Sequence, residues 1–591
     1  MAGTAAFDPI TFEVVRHALT EATEEMAVAL RRSAYSTNIK TRADFSCAFF
    51  DRDLNVVAQA FCQAVHLGSL VHLVPIAVRA YGPENMGPGD AVLCNDPYLG
   101  GVHLNDISLI SPVYCDGELF GYVANMAHHV DVGGGAPASV GAFREVYQEG
   151  IIIPPVKLVA EGEIVEDVFR LILGQIRSKR ETAGDFRAQM AANATGARRL
   201  AELTEQTGIE TVNTYIRELM TYAERRTRAE IAKLPQGEFT AEGYVDNDGY
   251  TDEPVRLEAK VRIDDDGVLF DLNGSDPQRR APVNSTFAQT FSACAYNLKT
   301  LMDPDIPPNQ GFYQMVRINA PEGTVVNCRP PAPVVGGWET HARLNEVIFK
   351  ALAPVLPERV PAGGKAMQCH AGFGGIDPRN GEYYCFLETL AGGYGARFQS
   401  DGPDAVQTHG QNTENAPIEE TERYYPVRIL RYELVDDSDG PGKYRGGLGL
   451  RRDYVFLDHE VTFTVLADRD KAGPWGLFGG EPGRQAYYIH NHDGTMEVLS
   501  SKTTIDVQPG EMIRYETCGG GGHGPPWQRD PAKVLSDVRQ GRVSLQRARR
   551  AYGVVIDPEH LQIDGTATAT LRTTMQRQGS QDDYGEPGAA Q

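Results

Sequence analysis

Apolar residues recur at helical spacing from the start of the chain. Val14, Val15, Ala18, Leu19, Ala22, Met26, Ala29 and Leu30 predict a helix over residues 11–36. Residues 45–50 and 54–58, separated by Asp51-Arg52-Asp53, predict a strand, a turn and a strand; helical spacing returns over residues 64–80. Residues 107–114 and 119–127 are again β-rich and flank Cys115-Asp116-Gly117-Glu118. Asp-Gly between two such runs predicts a hairpin, because a tight primed turn needs positive φ at its centre.

From residue 166 to 233 the pattern is helical. Val168, Leu171, Ile172 and Ile176 mark one helix; Leu200, Leu203 and Thr204 a second; Val212, Tyr215, Ile216, Leu219 and Met220 a third, before Pro235-Gln236-Gly237 ends the run. This segment is expected to be a helical insert or arm serving as scaffold. Beyond residue 238 the alternation turns to β, over residues 239–244, 255–263 and 267–272, with a helix near 288–302. A second β-rich stretch covers about 429–515. Helices are expected at 533–541 and 544–552, followed by a polar, disordered tail from Thr574.

The fold class is thus α+β: a mixed, multi-unit chain with a helical arm and a β-rich C-terminal half. A length of 591 residues calls for three or four structural units. The expected spans are an N-terminal α/β unit (1–160), the arm (161–236), a mixed β-rich unit with glycine-rich loops (237–428), a β-rich unit (429–530) and the C-terminal helices and tail (531–591). A net charge of −23 argues against a nucleic-acid partner. No basic-then-apolar leader and no 18-residue apolar run is read, so no membrane is expected and the location is expected to be cytoplasmic. The nine cysteines form no CxxC pair, which gives neither a disulfide framework nor a cysteine zinc site.

The chemistry concentrates around the predicted hairpin, where Gly100-Gly101-Val102-His103-Leu104-Asn105-Asp106 precedes it and Ala127-His128-His129-Val130-Asp131 closes it. With Asp116-Gly117 as a two-residue loop, cross-strand partners sum to 233, so Asn105 faces His128 and Asp106 faces Ala127. His103 and Asp106 cannot share a strand face, so the chain before Ile107 must leave strand geometry if both are to ligate. Two imidazoles and one carboxylate leave positions open on an ion, as a catalytic site requires. Glycine clusters at 363–364, 372–375, 392–395, 440–449 and 519–522 serve tight turns one by one. Interleaved with Arg397, His409, Asn412 and Asn415, together they predict a lined cleft. No Walker P-loop, dinucleotide fingerprint or nucleophile elbow is present, so any activation of substrate is expected on another chain.

Ordered motifs run through the chain: Asp8-Pro9-Ile10-Thr11-Phe12-Glu13, Asp44-Phe45-Ser46-Cys47-Ala48, Asn95-Asp96-Pro97-Tyr98-Leu99-Gly100-Gly101-Val102-His103-Leu104-Asn105-Asp106 and Gly184-Asp185-Phe186-Arg187-Ala188-Gln189. Asn412-Thr413-Glu414-Asn415-Ala416-Pro417, Asp437-Ser438-x-Gly440 and Tyr552-Gly553-Val554 continue them. Together they resemble the hydantoinase B/oxoprolinase family. One departure is His523-Gly524-Pro525-Pro526 after Gly522, where Tyr-Gly-Asp-Pro is expected.

The resemblance implies the B-type subunit of an ATP-dependent enzyme that opens a small cyclic amide: a hydantoin, 5-oxoproline or a lactam. ATP is then consumed at an A-type partner, which phosphorylates the carbonyl oxygen, in a complex expected to be a heterotetramer. It also implies a divalent metal (Zn, Mn or Fe) on His103, Asp106 and His128. His129 and Asp131 are the nearest candidates for proton transfer or for orienting a ligand. Two alternatives remain: a subunit of an ATP-dependent ketone carboxylase, and a non-catalytic scaffold for the A-type subunit.

Overall fold

Asp8 starts the first helix, accepting from the N–H groups of Ile10 and Thr11, with Pro9 in the first helical position. This helix is α1 (Pro9–Ser33), followed by the short α2 (Thr37–Lys40). The structure is a computed structural model that describes residues 7–582. Its first sheet comprises β1 (Phe45–Asp51), β2 (Val56–Gln59), β3 (Ala91–Cys94), β4 (Asp106–Cys115), β5 (Glu118–His128), β6 (Val156–Ala160) and β7 (Glu163–Ile164). The strands run antiparallel in the order β2-β1-β5-β4-β3-β6-β7. Four further helices belong to this region: α3 (Ala64–Tyr81), α4 (Glu166–Leu173), α5 (Lys179–Thr207) and α6 (Ile209–Ile231).

Alternation buries both faces of β1. Ala48 and Phe50 join a core with Val65, Leu70 and Leu73 of α3, whereas Phe45, Cys47 and Phe49 join one with Val15, Leu19 and Met26 of α1. The helices expected to form an arm do not project: α5 lies along α1 and crosses β4 and β5. Its attachment is polar and specific. Asn193 donates to the carbonyl of Leu109 (3.0 Å), and Gln189 donates to that of Ile107 (2.9 Å). The expectation of no 18-residue apolar run is also corrected. α3 is 18 residues long and apolar enough to span a membrane, but half of it is buried, and it packs against the sheet and the next unit's first helix.

The second sheet, β11-β10-β9-β8, holds β8 (Gly237–Val245), β9 (Val255–Asp264), β10 (Gly267–Asp271) and β11 (Val316–Asn319). The helices α7 (Phe287–Thr300), α8 (Gln310–Tyr313) and α9 (Gly337–Leu352) accompany it, α9 on the sheet and α7 against α3. The C-terminal half adds two antiparallel sheets. One orders β12 (His370–Ile376), β13 (Tyr383–Thr389), β16 (Val461–Leu466) and β19 (Lys502–Val507) as β13-β12-β16-β19. The other orders β14 (Val427–Leu434), β15 (Leu450–Phe456), β17 (Tyr487–His492), β18 (Thr495–Val498) and β20 (Met512–Glu516) as β14-β15-β20-β17-β18. The helices α10 (Ile418–Tyr424), α11 (Pro531–Arg539), α12 (Leu545–Arg550) and α13 (Gly565–Asp582) complete the chain. α13 corrects the disorder expected from Thr574 as far as Asp582; the remainder of that tail lies outside the described residues.

Four of the five glycine clusters pack on one another rather than line a cleft, and the 372–375 run lies within β12. Gly393 donates to the carbonyl of Cys518, Gly447 to Tyr394, Gly520 to Gly447, Gly440 to Gly520 and Gly521 to Gly363, at 2.7–3.0 Å. Backbones approach so closely that a Cβ on Gly520 would overlap the carbonyl of Tyr394. Asn412 and Asn415, expected in the cleft, donate instead to the carbonyls of Cys62 and Thr389. Gly520→Ala is therefore expected to cost about 3 kcal/mol or more by overpacking. Gly565→Ala, with nothing within 4 Å, should leave the stability nearly unchanged. Denaturant unfolding of both variants checks this, and equal stabilities would contradict the packing.

Candidate metal centre

Three local devices put His103 beside the hairpin. Asn95 donates to the carbonyls of Leu104 (2.7 Å) and Ile151 (3.0 Å) and accepts from Ile153 N–H, pinning both ends of the loop. Gly100 takes φ +101 where a side chain would strike the backbone of α3 at Leu73. The chain then turns rather than extending: Asp106 N–H donates to the carbonyl of His103 (3.1 Å). The departure from strand geometry before Ile107 is thus observed. Asn105 closes the other side, donating to the carbonyl of His129 (2.9 Å) while accepting His129 N–H through its own carbonyl (2.9 Å).

The hairpin register corrects the expected one by one residue. Cys115 pairs with Glu118 and Tyr114 with Leu119, as a two-residue loop requires, but Val113 pairs with Gly121. Phe120 is thus the extra residue of a β-bulge, and every pair beyond it shifts. Asp106 consequently faces His128, not Ala127. The bulge carries the carboxylate and the imidazole to the same place.

Asp106 is fully buried, and three imidazoles surround its carboxylate. His103 Nδ1 lies 2.9 Å from Oδ2, while His128 Nδ1 (3.1 Å) and His66 Nε2 (3.3 Å) lie against Oδ1. Burial opposes the charge of Asp106, yet His103 and His66 hold its carboxyl well below the usual carboxylate range. Burial pushes His128 down. Ligand atoms of His103, Asp106 and His128 all lie within 4.8 Å of one another. Among the described residues, the ring nitrogens turned away from Asp106, Nε2 of His103, Nε2 of His128 and Nδ1 of His66, have no hydrogen-bond partner. So many buried, unpartnered donor atoms around one carboxylate fit a divalent cation.

The structure does not bring His129 and Asp131 into this cluster. His129 Nε2 meets Gln189 Oε1 at 3.0 Å, and its ring lies 4.7 Å from that of Phe186 on α5. Asp131 pairs with Arg177 (2.9 Å) and also accepts Arg177 N–H (2.8 Å). Neighbouring residues on an extended chain point to opposite sides, and His128 alone takes the inner one.

Several site residues were not singled out from the sequence. His66 sits among the apolar positions of α3 and looks like a core residue. His370, at the start of β12, is buried with Nδ1 unpartnered, and burial together with the nearby His128 and His103 depresses it strongly. Trp338 of α9 sets its ring 5.6 Å from His103 and 5.8 Å from His66. Asp44, quoted within a motif, accepts from Gln63 (3.1 Å), whose own carbonyl oxygen takes Asn412 N–H (2.9 Å). The cluster therefore lies where the N-terminal sheet, α9 and β12 converge.

A carboxylate between two histidines, buried at the meeting of two halves of an α+β chain, makes this cluster a candidate metal centre. The chain belongs to the hydantoinase B/oxoprolinase family, whose sequence model matches residues 8–526. It is 35% identical over 583 residues to the beta subunit of caprolactamase from Pseudomonas jessenii, covering 96% of this chain and 99% of that one. It is 33% identical over 528 residues to 5-oxoprolinase of Dictyostelium discoideum, covering 88% of this chain and 41% of that longer protein. The crystal structure of ATP-dependent caprolactamase from Pseudomonas jessenii matches with a TM-score of 0.89 at 32% identity, over 96% of this chain and 100% of that one. The nucleotide-free structure of acetone carboxylase matches with a TM-score of 0.91 over 98% of this chain and 84% of that one; at 19% identity it shows a common fold.

Glu149 holds the loop beyond His128 against the segment that leads to Trp338, accepting the N–H groups of Val334 (2.8 Å) and Val335 (2.9 Å). Burial pushes its carboxyl up to about 8 from an ordinary 4.5. The folded chain thus holds a proton that the unfolded chain releases between these values. Its stabilising contribution is full below pH 4.5 and is lost as pH rises through 8. Glu149→Gln removes this dependence, so its melting temperature should gain on the wild type by on the order of a few degrees between pH 5.5 and 8.5. Parallel thermal curves across that range would contradict the assignment.

Proposed function

We propose that this chain is the B-type subunit of an ATP-dependent hydrolase that opens a cyclic amide after an A-type partner phosphorylates the carbonyl oxygen. The observation that carries the proposal is the buried cluster of His103, Asp106 and His128, with its unpartnered nitrogens, in a chain of this family. The family likeness to a caprolactamase beta subunit along nearly the whole chain supports a lactam, a hydantoin or 5-oxoproline as the substrate class.

An amide resists water because resonance gives its C–N bond partial double-bond character. Phosphorylation of the oxygen by the partner removes that resonance and leaves an electrophilic, imidate-like carbon. His103, Asp106 and His128 would hold a divalent metal, and Zn, Mn and Fe all suit this donor set. A divalent cation held there supplies Lewis acidity and makes water a competent nucleophile near neutral pH.

The protein's own groups do the rest. His66 shares Oδ1 of Asp106 with His128, and the buried Trp338 and His370 lie around the histidines and shield them from bulk water. His129, through Gln189, and Asp131, through Arg177, position the strand end that carries His128. They act as positioning residues, not as proton carriers. The complex is placed in the cytoplasm, where ATP is available and where nine unpaired cysteines stay reduced, and two copies of each subunit are expected.

ATP consumption by this chain with its A-type partner, across cyclic amides and across ketones with bicarbonate, tests the reading. Ring opening independent of bicarbonate is expected; turnover only with a ketone and bicarbonate would replace it with the carboxylase reading. His103→Ala and Asp106→Ala should each lose bound metal and slow ring opening by about a hundredfold or more, the upper end for removing even a partner of a ligand. Full turnover in a metal-free variant would refute the role of the cluster.

A further inference from the structure

The hairpin of β17 and β18 lies apart from this cluster and has no part in the proposed reaction. Asp493 (φ 48°) and Gly494 (φ 77°) form its two-residue turn. His490 and His492 are two residues apart, so both project from one face of β17. Their ring centroids are 4.8 Å apart.

Two carboxylates converge on them from different strands. Glu497 lies opposite His490 on β18, and its Oε2 is 3.4 Å from His492 Nε2. Glu511 precedes β20, the other neighbour of β17, and its Oε2 is 2.8 Å from His490 Nε2. Ligand atoms of His490, His492 and Glu497 all lie within 4.8 Å of one another. His490 is buried, but His492 keeps about a third of its side chain exposed and Glu497 more than half, so an ion can enter from solvent.

We infer that His490, His492, Glu497 and Glu511 form a second divalent-metal site, for Zn²⁺ or a similar borderline cation, distinct from the cluster at Asp106. Two imidazoles with two carboxylates match the donor number and charge that such an ion takes in a closed, structural site. The same contacts also suit two separate histidine–glutamate pairs. Of the two, the His492–Glu497 pair is exposed and contributes little. Separate pairs also do not explain why both histidines share one face, within reach of carboxylates from both flanking strands.

The ion would have a mechanical role. β18 is an edge strand whose four residues, including Met496 and Val498, are all exposed. An ion shared by β17, Glu497 and Glu511 would tie this edge to β20.

The test is Zn²⁺ binding to the chelator-stripped, full-length chain by equilibrium dialysis, beside the variants His490→Ala/His492→Ala and His103→Ala. The wild type is expected to bind two equivalents and the double variant one fewer. A double variant that binds as much Zn²⁺ as the wild type overturns the inference. Loss of binding in His103→Ala alone bears on the cluster at Asp106, so the two sites stand or fall separately. Hydrogen exchange supplies a readout that plain ion pairs would not move. Zn²⁺ should slow exchange across residues 487–498 in the wild type and in His103→Ala, but not in the double variant; equal exchange with and without Zn²⁺ in the wild type overturns the site.

Discussion

A carboxylate with no exposed surface stays charged only if its surroundings supply the charge and hydrogen bonds that water would have supplied. Asp106 is that group here. Removing one partner of a buried pair costs about 3–5 kcal/mol, because the group left behind stays buried. The elements around Asp106 are therefore arranged to deliver imidazoles to it: a turned loop brings His103, a bulged hairpin brings His128, and the buried face of α3 brings His66. The C-terminal half contributes His370 and the wall of Trp338. The centre is thus completed only when both halves of the chain are folded against each other.

The supporting motifs make sense in the same terms. Gly184-Asp185-Phe186 and Gln189 of α5 act behind the site. Gly184 admits Tyr35 at close approach, Asp185 accepts the N–H groups of Tyr35 and Ser36, Phe186 faces His129, and Gln189 bonds both His129 and Asn125. The glycine clusters solve a different problem, letting extended segments of the C-terminal half hydrogen-bond backbone to backbone with no room for a Cβ. Tyr515 of β20 donates to the carbonyl of His370 (2.8 Å) and so holds the start of β12.

Much of this was legible in the sequence. Helical and alternating periodicities located α1, α3, α7 and the helices after residue 166, with strands β1, β2, β4, β5, β8, β9 and β10, but not β3, β6 or α9. The motif around His103 and Asp106 led to the candidate ligands. The register of the hairpin was not legible, because a bulge at Phe120 depends on how β5 packs against β1 and β4, and no turn residue marks it. His66 and His370 were hidden for another reason. Each sits among apolar neighbours, where a histidine is indistinguishable from a satisfied core residue until a distant chain segment is placed against it. In sequence the glycine runs suggest a ligand cleft, because flexibility and close packing demand the same residue. The amphipathic pattern after residue 166 shows that a face is buried but not against what, so it does not separate an arm from helices packed on α1 and the first sheet.

The central claim is that the cluster at Asp106 is a metal centre formed between the two halves of the chain. Anomalous diffraction from crystals of the full-length protein saturated with Mn²⁺ addresses it most directly. A peak in contact with His103, Asp106 and His128 is the predicted result; a metal-saturated crystal with no density among these three side chains would contradict it.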